Sequence, residues 1–221
     1  MEHLEKLVRR AARALGRAGL AHAYGHCSAR VDDKHFLVCA AKAMGTIRPG
    51  ERGTVVAIEG ALPEGVLGEV RLHQQIYKRR PEIGGVCRIM PPVLMGLSVL
   101  RITPQPRHGF GAFFAPAPPL WDDVRLVRDD ERARAVAELM GAAKAIVMRA
   151  NGAVTAGRTL EEAVVFAWYL EEAARIEHFV RQLPGNPDHA LLTAEEIIAR
   201  DVSSGRVYER MWDYLCDGDP E

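Results

Sequence analysis

The sequence predicts one α/β domain over residues 1–221, with a mixed sheet covered by helices on both faces. Three observations carry this. Segments with apolar residues at helical spacing alternate with short apolar runs of strand length. No linker divides the chain, and no internal repeat is visible. The 221 residues are 48% hydrophobic and 26% charged, which suits a globular chain able to bury a real core.

The elements follow in order. Residues 2–18 carry Leu4, Leu7, Val8, Ala11, Ala12 and Leu15 on one helical face, and Gly19 is the expected stop. The stretch from Tyr24 to Arg30 reads as turn-rich. Residues 35–40 and 54–58 read as strands, with a turn at Glu59-Gly60. Residues 68–79 read as a helix, because Val70, Leu72, Ile76 and Tyr77 recur at helical spacing and Pro81 ends the pattern. Ile83 to Met90 reads as a buried strand closed by Pro91-Pro92, and 103–120 as loops with one short strand at most. A helix over 130–142 precedes strands at 145–149 and 153–157, joined by a turn at Ala150-Asn151-Gly152. Thr159 and Glu162 have capping-box spacing and open a helix to about Gln182; Thr193 and Glu196 repeat the signature for a last helix.

Charge and cysteine usage exclude whole classes of function. The 29 Lys and Arg balance 29 Asp and Glu, so no basic excess points to nucleic acid. No apolar run approaches the roughly 18 to 20 residues that span a bilayer, and the N-terminus lacks a signal-peptide layout. Cys27, Cys39, Cys87 and Cys216 form no C-x-x-C pair, which fits reduced thiols in a cytoplasmic protein. A neutral surface also tolerates close self-association.

Four constellations could carry chemistry. Gly25-His26-Cys27-Ser28-Ala29-Arg30 combines a glycine with a hydroxyl and a cation suited to a carboxylate or phosphate; alone it reads first as an ordinary turn. Glu69 and His73 stand four apart on a helix, a spacing that suits general acid/base work or a solvated pair. Arg88 interrupts an apolar strand, which is costly unless it is paired or reaches a cleft. Asn151-Gly152 is first a turn signal, and second a polar side chain aimed at a site. Gly109-Phe110-Gly111 lacks the third glycine of a dinucleotide fingerprint.

Taken in order, these pieces resemble the class II aldolase/adducin family over roughly residues 4–200. The likeness rests on the helix ending at Gly19-Leu20 and on Gly25-His26-Cys27-Ser28-Ala29-Arg30, where the family has G-N-x-S-x-R. It continues through Val55-Val56, Glu59-Gly60, Glu69 to His73, Ile76-Tyr77 and Arg80-Pro81-Glu82-Ile83-Gly84. It ends with Asn151-Gly152, Gly157 and Thr159-Leu160-Glu161-Glu162-Ala163. The resemblance implies a three-layer α/β/α fold with a mixed, largely antiparallel sheet. It implies a homotetramer with active sites between subunits, and aldolase, epimerase or decarboxylase chemistry at a divalent metal held by three histidines.

Here the implied ligand positions depart. The family's H-x-H falls on Arg88-Ile89-Met90, and its N-H-G on Ala150-Asn151-Gly152. Arginine, thioether and amide are poor ligands for Zn²⁺ or Mn²⁺, so no metal cofactor is expected at that position. The phosphate-binding positions fall on Ala41-Lys42 and Leu67-Gly68, which points to a free small acid rather than a sugar phosphate. The middle of the chain, with His108 and Trp121-Asp122, leans to the decarboxylase-like branch.

The expectation is therefore a metal-independent carbon–carbon lyase acting on a small, non-phosphorylated hydroxy or oxo acid. Glu69, His73, Arg88 and Asn151 are its catalytic candidates. Arg88 would replace the metal, Glu69 or His73 would move a proton, and Asn151 would donate a hydrogen bond. His26, Ser28, Arg30, Lys42, Met90, His108 and Tyr214 are substrate-binding candidates, Tyr214 from a neighbouring subunit. The alternatives are a non-catalytic oligomeric or ligand-binding member, and a relocated metal on His26, His73 and Glu69.

Overall fold

In the computed structural model, which describes residues 1–200 and 204–221, a seven-stranded sheet runs in the order β3-β2-β1-β4-β7-β6-β5. The strands are β1 (His26–Arg30), β2 (His35–Val38), β3 (Thr54–Ala57), β4 (Gly85–Ile89), β5 (Leu120–Trp121), β6 (Ala145–Met148) and β7 (Ala153–Gly157). Neighbours pair antiparallel, except β5 with β6, which are parallel. The helices are α1 (Glu2–Arg17), α2 (Arg71–Arg79), α3 (Pro92–Val99), α4 (Asp130–Met140), α5 (Leu160–Gln182), α6 (Ala194–Arg200) and α7 (Val207–Cys216). This is the expected α/β fold with a mixed, largely antiparallel sheet.

Strand alternation sorts the core into two layers. Cys27, Ala29, Cys87, Ile89, Val147 and Ala153 face the side covered by α1, α3, α5 and α7. Phe36, Val86, Ile146, Met148 and Val154 face the side covered by α2 and α4. Each such Leu, Phe or Val contributes about 1.5–3 kcal/mol on full burial.

Helix ends follow the local chemistry. Gly19, at φ 69°, closes α1. Its N–H reaches Gly16 O at 3.1 Å, and Leu20 N reaches Leu15 O at 3.0 Å, the paired bonds of a Schellman ending. Thr159 Oγ1 accepts from Glu162 N at 3.1 Å to cap α5. Glu162 does not complete the box; its carboxylate takes the Arg158 N–H instead. The later box is reciprocal: Thr193 Oγ1 accepts from Glu196 N at 3.2 Å, and Thr193 N donates to Glu196 Oε2 at 2.8 Å.

Three segments differ from expectation. Residues 26–30 are not a turn but β1, paired on both edges near the centre of the sheet. Its period is hidden because His26, Ser28 and Arg30 occupy the face toward α2. Pro91 and Pro92 do not merely close β4: Pro92 opens α3, where its missing N–H costs nothing. Residues 207–216 form α7, which packs on α5 and α1.

Candidate functional site

The site forms where β1, β4 and the β6–β7 turn meet the start of α2. His26 and Arg88 are register partners on adjacent strands, with both side chains on the α2 side. The 3₁₀ turn Gly68–Val70 leads into α2 and presents Glu69. The β6–β7 turn brings in Asn151. Gly152 makes that turn close, because at φ 80° a Cβ there would stand 2.1 Å from Ile89 O.

Arg88 is the largest fully buried side chain, at 1% exposure. Its Nη1 donates to Ile89 O at 2.6 Å and its Nη2 to Asn151 Oδ1 at 2.9 Å. Glu69 Oε2 lies 3.6 Å from Nη2, and Glu69 Oε1 accepts from Val127 N at 3.3 Å. Arg88 can only donate, so the Asn151 amide oxygen must face it and the amide nitrogen must face away. Arg88 Nε and Asn151 Nδ2 are buried with no hydrogen-bond partner among the described residues. Burial pulls the Arg88 pKa down, and the Glu69 charge opposes that.

Beside this group runs a chain of four side chains. Tyr77 Oη donates to Ser28 O at 3.0 Å and lies 2.9 Å from Ser28 Oγ. Ser28 Oγ lies 2.6 Å from His73 Nδ1, and His73 Nε2 lies 2.8 Å from His26 Nδ1. His26 Nε2 has no partner among the described residues. Burial, then the Arg88 charge, pushes the His73 pKa down to about 3. Burial, with His73 and Arg88 nearby, holds His26 well below 6.5. Both rings are therefore neutral at pH 7.

The structure thus gathers Glu69, Arg88, Asn151, His26, Ser28 and His73, with Met90 at the end of β4 near Gly152. Glu69 and His73 do not act as a pair. Glu69 sits in a 3₁₀ turn, which breaks α-helical spacing, and its carboxylate goes to Arg88 and Val127. Both His73 nitrogens are committed and the ring is fully buried, so His73 has no nitrogen free to meet a substrate directly.

Arg30 is tied to the backbone through Nε and Nη2. It donates to Ile83 O, Tyr77 O and Arg80 O, and its guanidinium lies 4.7 Å above the Tyr77 ring. Lys42 is paired with Glu51 at 3.0 Å near the surface. His108 and Tyr214 lie in the opposite layer. His108 stacks edge-on to Phe110, and Tyr214 is 70% exposed on α7. Sequence spacing marks Tyr77 only as an apolar member of its helix. Its place one turn after His73 is the signal that it joins the same network.

A family metal can be tested against these residues. Among the described residues, no group of three His, Cys, Asp or Glu side chains is placed to hold a metal ion. His26 and His73 hydrogen-bond each other and Glu69 faces Arg88, so the relocated trio does not form. The residues present do not fit a divalent cation.

The sequence matches the family described as class II aldolase and adducin N-terminal domain over residues 6–178. The chain belongs to the class II aldolase and adducin family. It is similar to an enzyme named 3,4-dihydroxyphthalate decarboxylase from Terrabacter sp. (strain DBF63), 25% identical over 215 residues, covering 88% of this chain and 87% of that one. A second protein of that name, from Arthrobacter keyseri, is 28% identical over 182 residues, covering 71% and 70%. Among solved structures, YgbL of Escherichia coli superposes with a TM-score of 0.78 at 24% identity, over 91% of this chain and 99% of that one. The l-fuculose-1-phosphate aldolase from Thermus thermophilus gives 0.73 at 24% identity, over 84% and 99%. These structural likenesses bear on the fold. No helix of the described residues is long and apolar enough to cross a membrane.

Proposed function

We propose that this family member is a carbon–carbon lyase of the decarboxylase type, acting without a metal on a small, non-phosphorylated carboxylic acid. One observation carries the reading. A fully buried guanidinium, Arg88, keeps its Nε without a partner among the described residues, and so does the amide nitrogen of Asn151, whose oxygen Arg88 holds. Two buried donors, one of them on a cationic group, call for an anion, and unsatisfied buried donors are costly otherwise.

In this reading Arg88 and Asn151 hold a carboxylate or the oxyanion that develops as the bond breaks. The breaking bond leaves its electron pair on the substrate carbon. Carbon dioxide departs, and Glu69, 3.6 Å from Arg88 Nη2, delivers a proton to the carbon left with the electron pair. The cavity beside His26 is lined by Val38, Ala41, Leu67 and Val70. No Lys or Arg lines it, so nothing there offers a phosphate dianion a second cation. The relatives' names make 3,4-dihydroxyphthalate the first substrate to try.

The absence of a metal-ligating trio among the described residues favours a second reading, a non-catalytic anion-binding member. Turnover separates the two. Carbon dioxide release from 3,4-dihydroxyphthalate and related hydroxy and oxo acids, by chelator-treated protein of measured metal content, supports the lyase. Activity that needs stoichiometric Zn or Mn sinks the metal-free mechanism, and tight acid binding without turnover favours the second reading.

We further propose self-association into a tetramer in the cytoplasm. The balanced charge and the exposed Phe179, Leu183 and Tyr214 support association, and four buried thiols support a reducing compartment. A monodisperse monomer in light scattering would refute the assembly.

A further inference from the structure

We infer that His26 reads a hydroxyl group on the substrate, so that this site selects hydroxy acids over acids lacking the hydroxyl. The inference rests on the anion-binding reading of Arg88 and adds a residue and a specificity to it.

The protons along the chain of four side chains can be placed one by one. Tyr77 has one phenolic proton. Its oxygen lies 3.0 Å from the Ser28 carbonyl, which can only accept. That proton is therefore used there, and at the 2.9 Å contact with Ser28 Oγ the tyrosine oxygen accepts. Ser28 must then donate its own proton to Tyr77. At the 2.6 Å contact with His73 Nδ1, Ser28 Oγ accepts and Nδ1 carries the hydrogen. A neutral His73 has one N–H, so its Nε2 is a lone pair. Across the 2.8 Å contact, His26 Nδ1 must donate. The Nε2 of a neutral His26 is then a lone pair too.

That lone pair is buried: His26 is 3% exposed and its Nε2 has no partner among the described residues. The ring lines a small cavity whose other walls are mainly apolar. An acceptor in such surroundings lacks its hydrogen bond until a donor arrives. Its register partner is Arg88, whose unpartnered donor takes an anion. Side chains directly opposite on antiparallel strands stand about 5 Å apart at Cβ, close enough for one small molecule to reach both. The pair therefore reads an anion and a hydroxyl donor together. A keto oxygen offers no hydrogen to His26 Nε2, and a bare hydrocarbon offers nothing.

The experiment has two arms on the full chain. The first needs no ligand. Side-chain ¹⁵N NMR of the protein at pH 7.5, assigned with His26→Gln, should show His26 Nδ1 bearing the hydrogen and Nε2 without one. In Tyr77→Phe, Ser28 loses its acceptor and turns its proton to His73 Nδ1, so the chain reverses and Nε2 of His26 becomes the hydrogen-bearing atom. A protonated Nε2 in the unsubstituted protein, or no reversal in a folded Tyr77→Phe, overturns the inference.

The second arm is calorimetry with matched acids: 3,4-dihydroxyphthalate against phthalate, 2-hydroxybenzoate against benzoate, and lactate against pyruvate. The hydroxy member should bind roughly tenfold or more tighter, the worth of one buried neutral hydrogen bond. That preference should disappear in Tyr77→Phe and His26→Gln. Equal affinity within the pairs overturns the inference while leaving the anion site standing. If no acid binds although the tautomers are as derived, the anion reading of Arg88 has failed, and the hydroxyl selection falls with it.

Discussion

The two faces of β1 and β4 are built by opposite rules. Toward α1 and α5 the strands present Cys27, Ala29, Cys87 and Ile89, all buried among apolar neighbours. Toward α2 they present His26, Ser28 and Arg88, which are equally buried. The apolar face needs only volume and shape. The polar face needs a partner for each donor and acceptor, and it leaves Arg88 Nε, Asn151 Nδ2 and His26 Nε2 without one among the described residues. A fold can tolerate such atoms where a ligand supplies what the protein withholds. The same two strands thus act as core on one side and carry the candidate site on the other.

Substitutions can break this contrast. The largest stability effect belongs to the apolar layer. Leu170→Ala on α5, at a fully buried position, should cost about 2–5 kcal/mol in urea unfolding while acid binding by the folded protein persists. Arg88→Met should strike the site itself. Acid binding or turnover by the folded protein should fall at least about a hundredfold. Stability should fall as well, because Glu69, Asn151 Oδ1 and Ile89 O lose a buried partner. Unchanged acid affinity in folded Arg88→Met would leave Arg88 as a structural partner of Glu69 alone.

The pH dependence sharpens the contrast next. His73 has a folded pKa of about 3 against 6.5 in the unfolded chain, and His26 is shifted the same way. Above pH 6.5 both states hold these rings neutral, and no penalty exists. Below 6.5 the unfolded chain takes up protons that the folded chain refuses. Stability then falls as pH drops from 6.5 toward 3, by up to about 1.4 kcal/mol per pH unit for each such ring. Urea midpoints at pH 7 and 5.5 measure the slope, and His73→Gln should flatten it. The smallest effect is Thr159→Ala, about 1 kcal/mol from a lost helix cap away from the site; acid affinity should not change.

Much of the fold is legible in the chain. The helix expected over 68–79 appears as the 3₁₀ turn Gly68–Val70 followed by α2, because its apolar spacing and Pro81 are strong local signals. The long α5 begins at its Thr159 cap, as the capping-box spacing implies. β1 is hidden, since a strand whose buried face is polar has no hydrophobic period to read. Arg88 stands out because a cation within an apolar run is itself a signal. Arg30 looks equally suited to an anion, yet its fork is committed to three carbonyls that approach only after folding.

Local chemistry alone therefore determined the class of fold, most helix boundaries and the candidates Glu69, Arg88 and Asn151. These depend on spacing, propensity and the cost of burying charge, all written along the chain. Which candidates meet was decided by the tertiary structure. It set His26 opposite Arg88, turned Glu69 away from His73, and joined Tyr77, Ser28, His73 and His26 into one hydrogen-bonded row. Strand register and helix docking are long-range events, and the direction of a shared proton depends on every partner in the row at once.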